Sequence, residues 1–452
     1  MPALLTLTKL CVLKNLILIV AVSLVSVAPS YVGFGQEEEE EANIPTLRDS
    51  TLKMELVASG IESPTSMAFL GPNDILVLEK DKGTVQRIVG GEISEKPILD
   101  VNVNAEDERG LLGIAVSKNS STERTYVFLF YTEAEGTEDG GEPIANRLYR
   151  YELVDGGLAN PTLLLDLPHL PGPAHNGGVV AVGPDNNVYV AVGELTPTNY
   201  AEGDYKFLSQ NYEDGDEPDG RGGILRITQD GQIVDGKGIL GDEHPLDLYY
   251  AYGIRNAFGL AFDPVTGKLW DTENGPRWGD ELNLVEPGFN SGWAKILGIW
   301  TVNEMINEEG SREINKGEIS NSVSAGLINF NGKGQYSSPE LTWDETIAPT
   351  AIAFLHSDKL GVQYENDMFV GTVKDRLLHF KLDEPNRTQL VLNGTLSDRV
   401  ADTVEDVESA TFAEGLGIVT DVKVGPDGYL YIVSGARSLE GKIYRILPAM
   451  VE

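Results

Sequence analysis

Val424-Gly425-Pro426-Asp427-Gly428, Leu430-Tyr431-Ile432-Val433 and Gly441-Lys442-Ile443-Tyr444-Arg445-Ile446 follow one another near the C-terminus. The same order stands at Val182-Gly183-Pro184-Asp185, Val188-Tyr189-Val190-Ala191-Val192 and Gly223-Ile224-Leu225-Arg226-Ile227. It stands a third time as Ala68-Phe69-Leu70-Gly71-Pro72, Ile75-Leu76-Val77-Leu78 and Gly83-Thr84-Val85-Gln86-Arg87-Ile88. Each copy reads as strand, Gly-Pro turn, strand, glycine turn, strand, because short β-branched and aromatic runs are bounded by turn-forming residues. Weaker copies fill the intervals: Leu112–Val116 with Tyr126–Tyr131 and Arg147–Tyr151; Gly259–Pro264 with Lys268–Asp271 and Glu281–Val285; Ala351–Leu355 with Met368–Val373 and Leu377–Leu382, six units in all. A sheet of three or four strands cannot bury both faces alone, whereas units set radially about an axis bury one another. The sequence therefore predicts an all-β, six-bladed β-propeller over residues 51–452. Long inter-strand loops are expected at Glu133–Pro143, Thr196–Gly220 and Thr301–Gln335, where polar, Gly- and acid-rich segments break the repeat.

The 452 residues carry 34 Lys+Arg against 70 Asp+Glu, a net charge of −36, which repels phosphate backbones and excludes nucleic acid as a partner. One cysteine forms no internal bridge, so stability rests on packing or metals. Residues 1–35 hold only Lys9 and Lys14 as charges ahead of the apolar run Leu16–Ala28. They read as a secretory signal peptide, with an uncleaved N-terminal membrane anchor as the alternative. Residues 36–50, opening on Glu37–Glu41, read as an acidic linker. The expected location is extracellular, cell-surface or periplasmic.

Five histidines show no metal-ligand spacing, and neither a GxSxG elbow nor a P-loop occurs. His175 ends a rigid turn, Pro171-Gly172-Pro173-Ala174-His175-Asn176-Gly177-Gly178, just before an apolar strand. It suits a general base or a plain turn histidine. Arg255-Asn256 lies among apolar residues and needs an anionic ligand or a carboxylate partner. Glu273-Asn274-Gly275-Pro276-Arg277-Trp278-Gly279-Asp280-Glu281 sets turn carbonyls beside paired acids, the donor types calcium prefers. Asp214-Gly215-Asp216-Glu217-Pro218-Asp219-Gly220 is either a second calcium loop or a solvated one.

Taken in order, Gly110-Leu111-Leu112-Gly113, the His175 turn, Arg255-Asn256, Gly275-Pro276 through Asp280-Glu281 and Val373-Lys374 resemble the soluble glucose/sorbosone dehydrogenase family. These are six-bladed aldose sugar dehydrogenases that use pyrroloquinoline quinone (PQQ) and calcium. The resemblance spans roughly Leu56 to Pro448. It implies that His175 takes the proton of the sugar C1 hydroxyl, that Arg255 stabilises charge on the quinone, and that Asn256 and Lys374 hold the cofactor. Gly275 and Pro276 would ligate a catalytic calcium through their carbonyls, and Asp280 and Glu281 match structural-calcium positions. A lactone product and an external electron acceptor follow.

Three departures bear on the site. Ile418 and Thr420 stand where the family has arginines that grip cofactor carboxylates, with Lys423 or Arg437 as the cations that would compensate. Glu108 replaces an amide contact to the cofactor, and Ala174 replaces the acid before the base. Two other readings stay open: a non-catalytic propeller that binds a glycan or a protein, and a calcium-dependent lactonase-like hydrolase. The oligomeric state, homodimer included, is not specified by the sequence.

Overall fold

The structure is a computed structural model that describes residues 45–449, except 120–122, 138, 197–209, 212–217, 307–311 and 321–325. The expected signal or anchor, Glu37–Glu41, and most of the acidic cluster around Asp214 lie outside the described residues.

The three clear repeats fold as read. Pro64–Gly71, Asp74–Glu79 and Thr84–Val89 form one antiparallel meander; Val180–Val182, Val188–Val192 and Gly223–Ile227 a second; Val419–Val424, Leu430–Ser434 and Gly441–Pro448 a third. The Gly-Pro turns of the second and third share one chemistry. In the second, Asn186 N–H donates to Gly183 O at 2.9 Å while Asp185 accepts from Asn187 N–H at 3.1 Å and Tyr189 Oη at 2.8 Å. In the third, Gly428 N–H donates to Gly425 O at 2.8 Å while Asp427 accepts from Tyr429 N–H at 3.2 Å and Tyr431 Oη at 2.8 Å. The aspartate closes the turn and satisfies the tyrosine hydroxyl that the next strand buries.

The weaker copies form meanders from Leu111–Asn119, Ala257–Phe262 and Pro349–Phe354. These six first strands pack side by side in chain order, and the sixth, Val419–Val424, returns to Pro64–Gly71. Close approach demands glycine in this ring: a Cβ on Gly113 would stand 1.9 Å from Gly178 O. The ring is sealed twice. Leu52–Ile61, from before the first meander, pairs antiparallel with Gly441–Pro448 and completes the last sheet. Asp421 Oδ2 accepts from Ser66 Oγ and Met67 N–H, both at 2.8 Å.

Apolar side chains between sheets form the core. Phe128, Phe130, Val188, Val190, Leu225 and Tyr249 pack together at one such junction, each stabilising the fold by roughly 1.5–3 kcal/mol when fully buried. Two of the expected loops differ from expectation. Arg124–Ala134 and Pro143–Val154 pair through Pro143 and Ala134, so that insertion shrinks to a hairpin loop. The Thr301–Gln335 stretch carries most of a three-stranded sheet, Ile296–Leu297, Trp300–Ile306 and Arg312–Ile319. An axial cavity of about 390 Å³ is lined by the six first strands, including Met67, Ile114, Val182, Phe262 and Phe354. It lies toward the C-terminal ends of those strands, whereas His175 and Arg255 precede their N-terminal ends.

Candidate active site

The His175 turn is held in a conformation that its residue type resists. His175 has φ 61°, in the left-handed region, which costs a non-glycine residue roughly 1–2 kcal/mol. The turn is fixed from both sides: Glu108 N–H donates to Pro173 O at 3.3 Å, and Glu108 Oε2 accepts from His175 N–H at 2.7 Å. Ala174 N–H donates to Thr196 O at 3.1 Å. Glu108, read from sequence as an acid facing the cofactor, therefore braces the turn, and its Oε2 also accepts from Asn256 Nδ2 at 3.2 Å.

The imidazole is engaged at both nitrogens. Nε2 lies 3.0 Å from Arg255 Nη2, and Nδ1 lies 3.1 Å from Glu194 Oε1. A guanidinium only donates and a carboxylate accepts, so the network assigns the proton to Nδ1 and leaves the lone pair on Nε2. Glu194 is fully buried and accepts twice more, from Thr196 Oγ1 at 2.6 Å and from Trp293 Nε1. Trp293 also lies under the Arg255 guanidinium, 5.5 Å from its ring centre, a cation–π contact. Glu194, from the end of the neighbouring strand, is thus the acid that orients the imidazole.

Arg255 and its neighbours are set by a second layer of acids. Arg255 N–H donates to Glu273 Oε1 at 2.6 Å, and Arg255 Nη1 to Asn274 O at 2.5 Å. Glu62 N–H donates to Glu79 Oε1 at 3.0 Å at the equivalent place in the first meander, so this brace belongs to the repeat. Asp271, Glu273 and Glu281 are all buried on one face of adjacent strands. Burial pushes the Glu273 carboxyl up to about 7, against the Arg255 N–H and Ser291 hydroxyl that favour its charge. Burial and then the neighbouring Glu273 raise Asp271 and Glu281 well above the carboxylate range. This layer therefore holds protons near neutral pH.

The Gly275-Pro276 turn adjoins Asn274. A Cβ at Gly275 would meet Trp278 O at 2.0 Å, which accounts for the glycine. Among the described residues neither the Gly275 nor the Pro276 carbonyl accepts a hydrogen bond, so both are available to a cation. The two acids expected as metal positions are placed otherwise. Asp280 Oδ1 accepts from Gly275 N–H at 2.8 Å, and its Oδ2 accepts from Thr346 Oγ1, Ile347 N–H and Ala348 N–H at 2.6–2.7 Å. Glu281 is likewise engaged by Gly298 N–H, Ser291 and Asn283. Protein donors thus occupy both side chains, which brace loops. Among the described residues no three His, Cys, Asp or Glu side chains are arranged to share a metal ion.

Lys374 follows the second strand of its meander, Met368–Thr372, and is exposed, without an ion-pair partner among the described residues. Its strand end is tied in because Val373 N–H donates to Ala348 O at 3.0 Å. Ile418 and Thr420 are half-buried and neutral. Lys423 lines the axial cavity and pairs with Asp421 at 3.4 Å, away from the His175 cluster. Sequence reasoning missed Glu194, Trp293 and Glu273 as parts of the site.

The aldose sugar dehydrogenase YliI of Escherichia coli strain K12 is 25% identical over 407 residues, covering 88% of this chain and 94% of that one. The crystal structure of an oxidoreductase (glucose dehydrogenase) from Thermus thermophilus superposes with a TM-score of 0.63 at 26% identity, over 88% of this chain and 100% of that one. The PQQ-bound form of an aldose sugar dehydrogenase from Streptomyces coelicolor superposes with a TM-score of 0.58 at 23% identity, over 88% and 99%, a likeness of fold. The family model described as Glucose / Sorbosone dehydrogenase matches residues 61–445. Spanning most of the chain and the whole imidazole–guanidinium cluster, that match means that the chain belongs to the glucose/sorbosone dehydrogenase family of sugar oxidoreductases.

Proposed function

We propose that the protein is an exported, six-bladed, PQQ-dependent aldose sugar dehydrogenase that oxidises the C1 hydroxyl of an aldose to a lactone and passes electrons to an external acceptor. The observation that carries this reading is His175 Nε2 held as a lone-pair acceptor by Glu194 on one side and faced by Arg255 on the other.

The residues present fit the cofactor at its reacting end. Among the described residues Arg255 Nε is a buried donor without a partner, and Asn256 Oδ1 and Asn274 Oδ1 are buried acceptors without partners; buried polar groups of this kind call for a ligand. Asn256, Arg255 and Lys374 would hold the quinone, and the carbonyls of Gly275 and Pro276 would hold calcium. When bound, the quinone supplies a two-electron acceptor for the C1 hydride, polarised by calcium. The protein's part is to accept the C1 hydroxyl proton at His175 Nε2, to keep that nitrogen unprotonated through Glu194, and to place a fixed positive charge at Arg255.

Reconstitution with PQQ and calcium is expected to give dye-linked sugar oxidation that disappears in His175→Ala. Absence of quinone binding and of oxidation across a broad sugar panel would refute the proposal. The hydrolase reading asks for carboxylates or amides converging on the axis, and the axial cavity is lined by none among the described residues.

A further inference from the structure

The proposed cofactor is a tricarboxylate, so the site that takes it needs cations beyond the Arg255 guanidinium, which already serves His175 and Asn274. The wall at Ile418 and Thr420 offers none. We propose that Arg437, on the turn between Leu430–Ser434 and Gly441–Pro448, supplies the missing carboxylate-binding charge. This inference rests on the quinone reading above.

The placement comes from a continuous series of contacts along one rim. Asp375, next to Lys374, accepts from Gly417 N–H. Gly435 N–H then donates to Ile418 O at 2.9 Å, so the Arg437 turn is fastened to the residue that lacks a charge. Ser438 N–H donates to Gly435 O at 3.0 Å, and Ser63 N–H donates to Ser438 O at 2.8 Å, which fixes the other end of the turn. From there the Arg437 guanidinium reaches toward Asp107, beside Glu108, which in turn holds the His175 turn and Asn256. Arg437 therefore bridges the interval between Ile418 and the His175 cluster.

Among the described residues the Arg437 guanidinium has one ion-pair partner, Asp107. Its separation from Asp107 is 3.9 Å, the limit of an ion pair, and its side chain is 77% exposed. Five other cations are placed differently: Lys423 lies on the axial cavity with Asp421, Lys80 is paired with Asp81, Arg109 with Glu106 and Arg221 with Asp219, and Arg277 belongs to the Gly275-Pro276 side. Lys374, which has no ion-pair partner among the described residues, and Arg437, with its one long contact to Asp107, thus flank Ile418. A planar fork of donors is the group best matched to a carboxylate.

The test is a titration of the full chain with PQQ in the presence of calcium, followed by calorimetry or quinone absorbance, with no turnover required. Arg437→Ala is expected to weaken Kd about tenfold, the low end for a charge-assisted contact because the side chain is exposed. It should also flatten the dependence of Kd on salt while leaving the melting temperature of the free protein unchanged. Adding Ile418→Arg to that variant is expected to recover most of the lost affinity, because it restores a cation beside the same turn. Wild-type binding with an unchanged Kd in Arg437→Ala would overturn the role of Arg437 and leave the quinone reading standing. Weakened binding that keeps the wild-type salt dependence and is not recovered by Ile418→Arg would assign Arg437 a structural role instead, also against the proposal. No binding by the wild-type chain would refute both.

Discussion

His175 Nε2 and Arg255 Nη2 lie 3.0 Å apart although eighty residues separate them in the chain. Two features produce that approach: the left-handed backbone at His175, and the hydrogen bond from Glu194 N–H to Arg255 O at 3.0 Å. Glu194 therefore sets both partners, the imidazole through its side chain and the arginine through its backbone.

Replacing Glu194 by Gln tests that dual role. The amide can donate to Nδ1, which moves the ring proton to Nε2 and leaves no lone pair for the sugar hydroxyl. The expected result is a kcat lowered by roughly 10²-fold or more with KM little changed. Glu194→Asp should recover part of the rate. Steady-state kinetics on the reconstituted enzyme, with the pH profile of kcat, decide the matter. Wild-type kcat in Glu194→Gln would refute the positioning role.

Gly193 sits where the His175 turn and the Arg255 segment converge. A Cβ there would lie 2.2 Å from His175 O and 2.8 Å from Arg255 O, both backbone atoms that cannot swing aside. Gly193→Ala is expected to destabilise the fold by about 1–3 kcal/mol as an overpacked site and to abolish activity by separating the pair. Thermal denaturation and sugar oxidation measured on the same sample check this. A variant with wild-type melting and rate would show that the strands tolerate the methyl group.

Much of this geometry was legible from residues. The Gly-Pro-Asp turns announced the meanders because their chemistry is local, carried within five residues by Asp185 and Asp427. His175 and Arg255 were legible because a turn histidine and an apolar-flanked arginine are locally unusual. Glu194 was not, since the acid that orients the imidazole comes from the next strand and no neighbour in sequence marks it. A signal did exist: Glu79 and Glu273 end the second strands of their meanders, and Glu194 follows Val188–Val192 by two residues. Comparing copies would have singled out that place as an acid-bearing strand end. Asp280 and Glu281 misled for the opposite reason, because acids beside a turn read alike whether they hold a metal or accept backbone N–H groups.

The buried acids give stability a dependence on pH. Glu273 ionises near 4.5 in an unfolded chain and only near 7 in the fold, so on raising the pH the unfolded state loses its proton first. Its contribution is fully present below pH 4.5, declines between pH 4.5 and 7 and stays low above. Glu273→Gln keeps an acceptor for Arg255 N–H and removes the titration. At pH 8 it is expected to be more stable than wild type by about 2 kcal/mol, the gap narrowing as pH falls toward 5. Melting temperatures at the two pH values test the sign; a variant less stable at pH 8 than at pH 5, relative to wild type, would contradict it.

Asp421 carries the side-chain seal of the ring. Its Oδ2 accepts from Ser66 Oγ and Met67 N–H on the first meander, while its own backbone belongs to the last. Met67 is completely buried, so its N–H has no water to turn to if the carboxylate is removed. Asp421→Ala is expected to cost about 2–4 kcal/mol, since two buried backbone donors, Met67 N–H and Val422 N–H, one hydroxyl and the Lys423 ammonium lose a charged acceptor together. Asp421→Asn retains one carbonyl oxygen for Met67 N–H and should lose about half as much. Urea denaturation of the two variants measures both differences. The strand pairing of Leu52–Ile61 with Gly441–Pro448 remains in each, so the ring still closes and the loss reports the Asp421 contacts alone. A midpoint for Asp421→Ala that coincides with wild type would mean that backbone pairing by itself joins the first and last sheets.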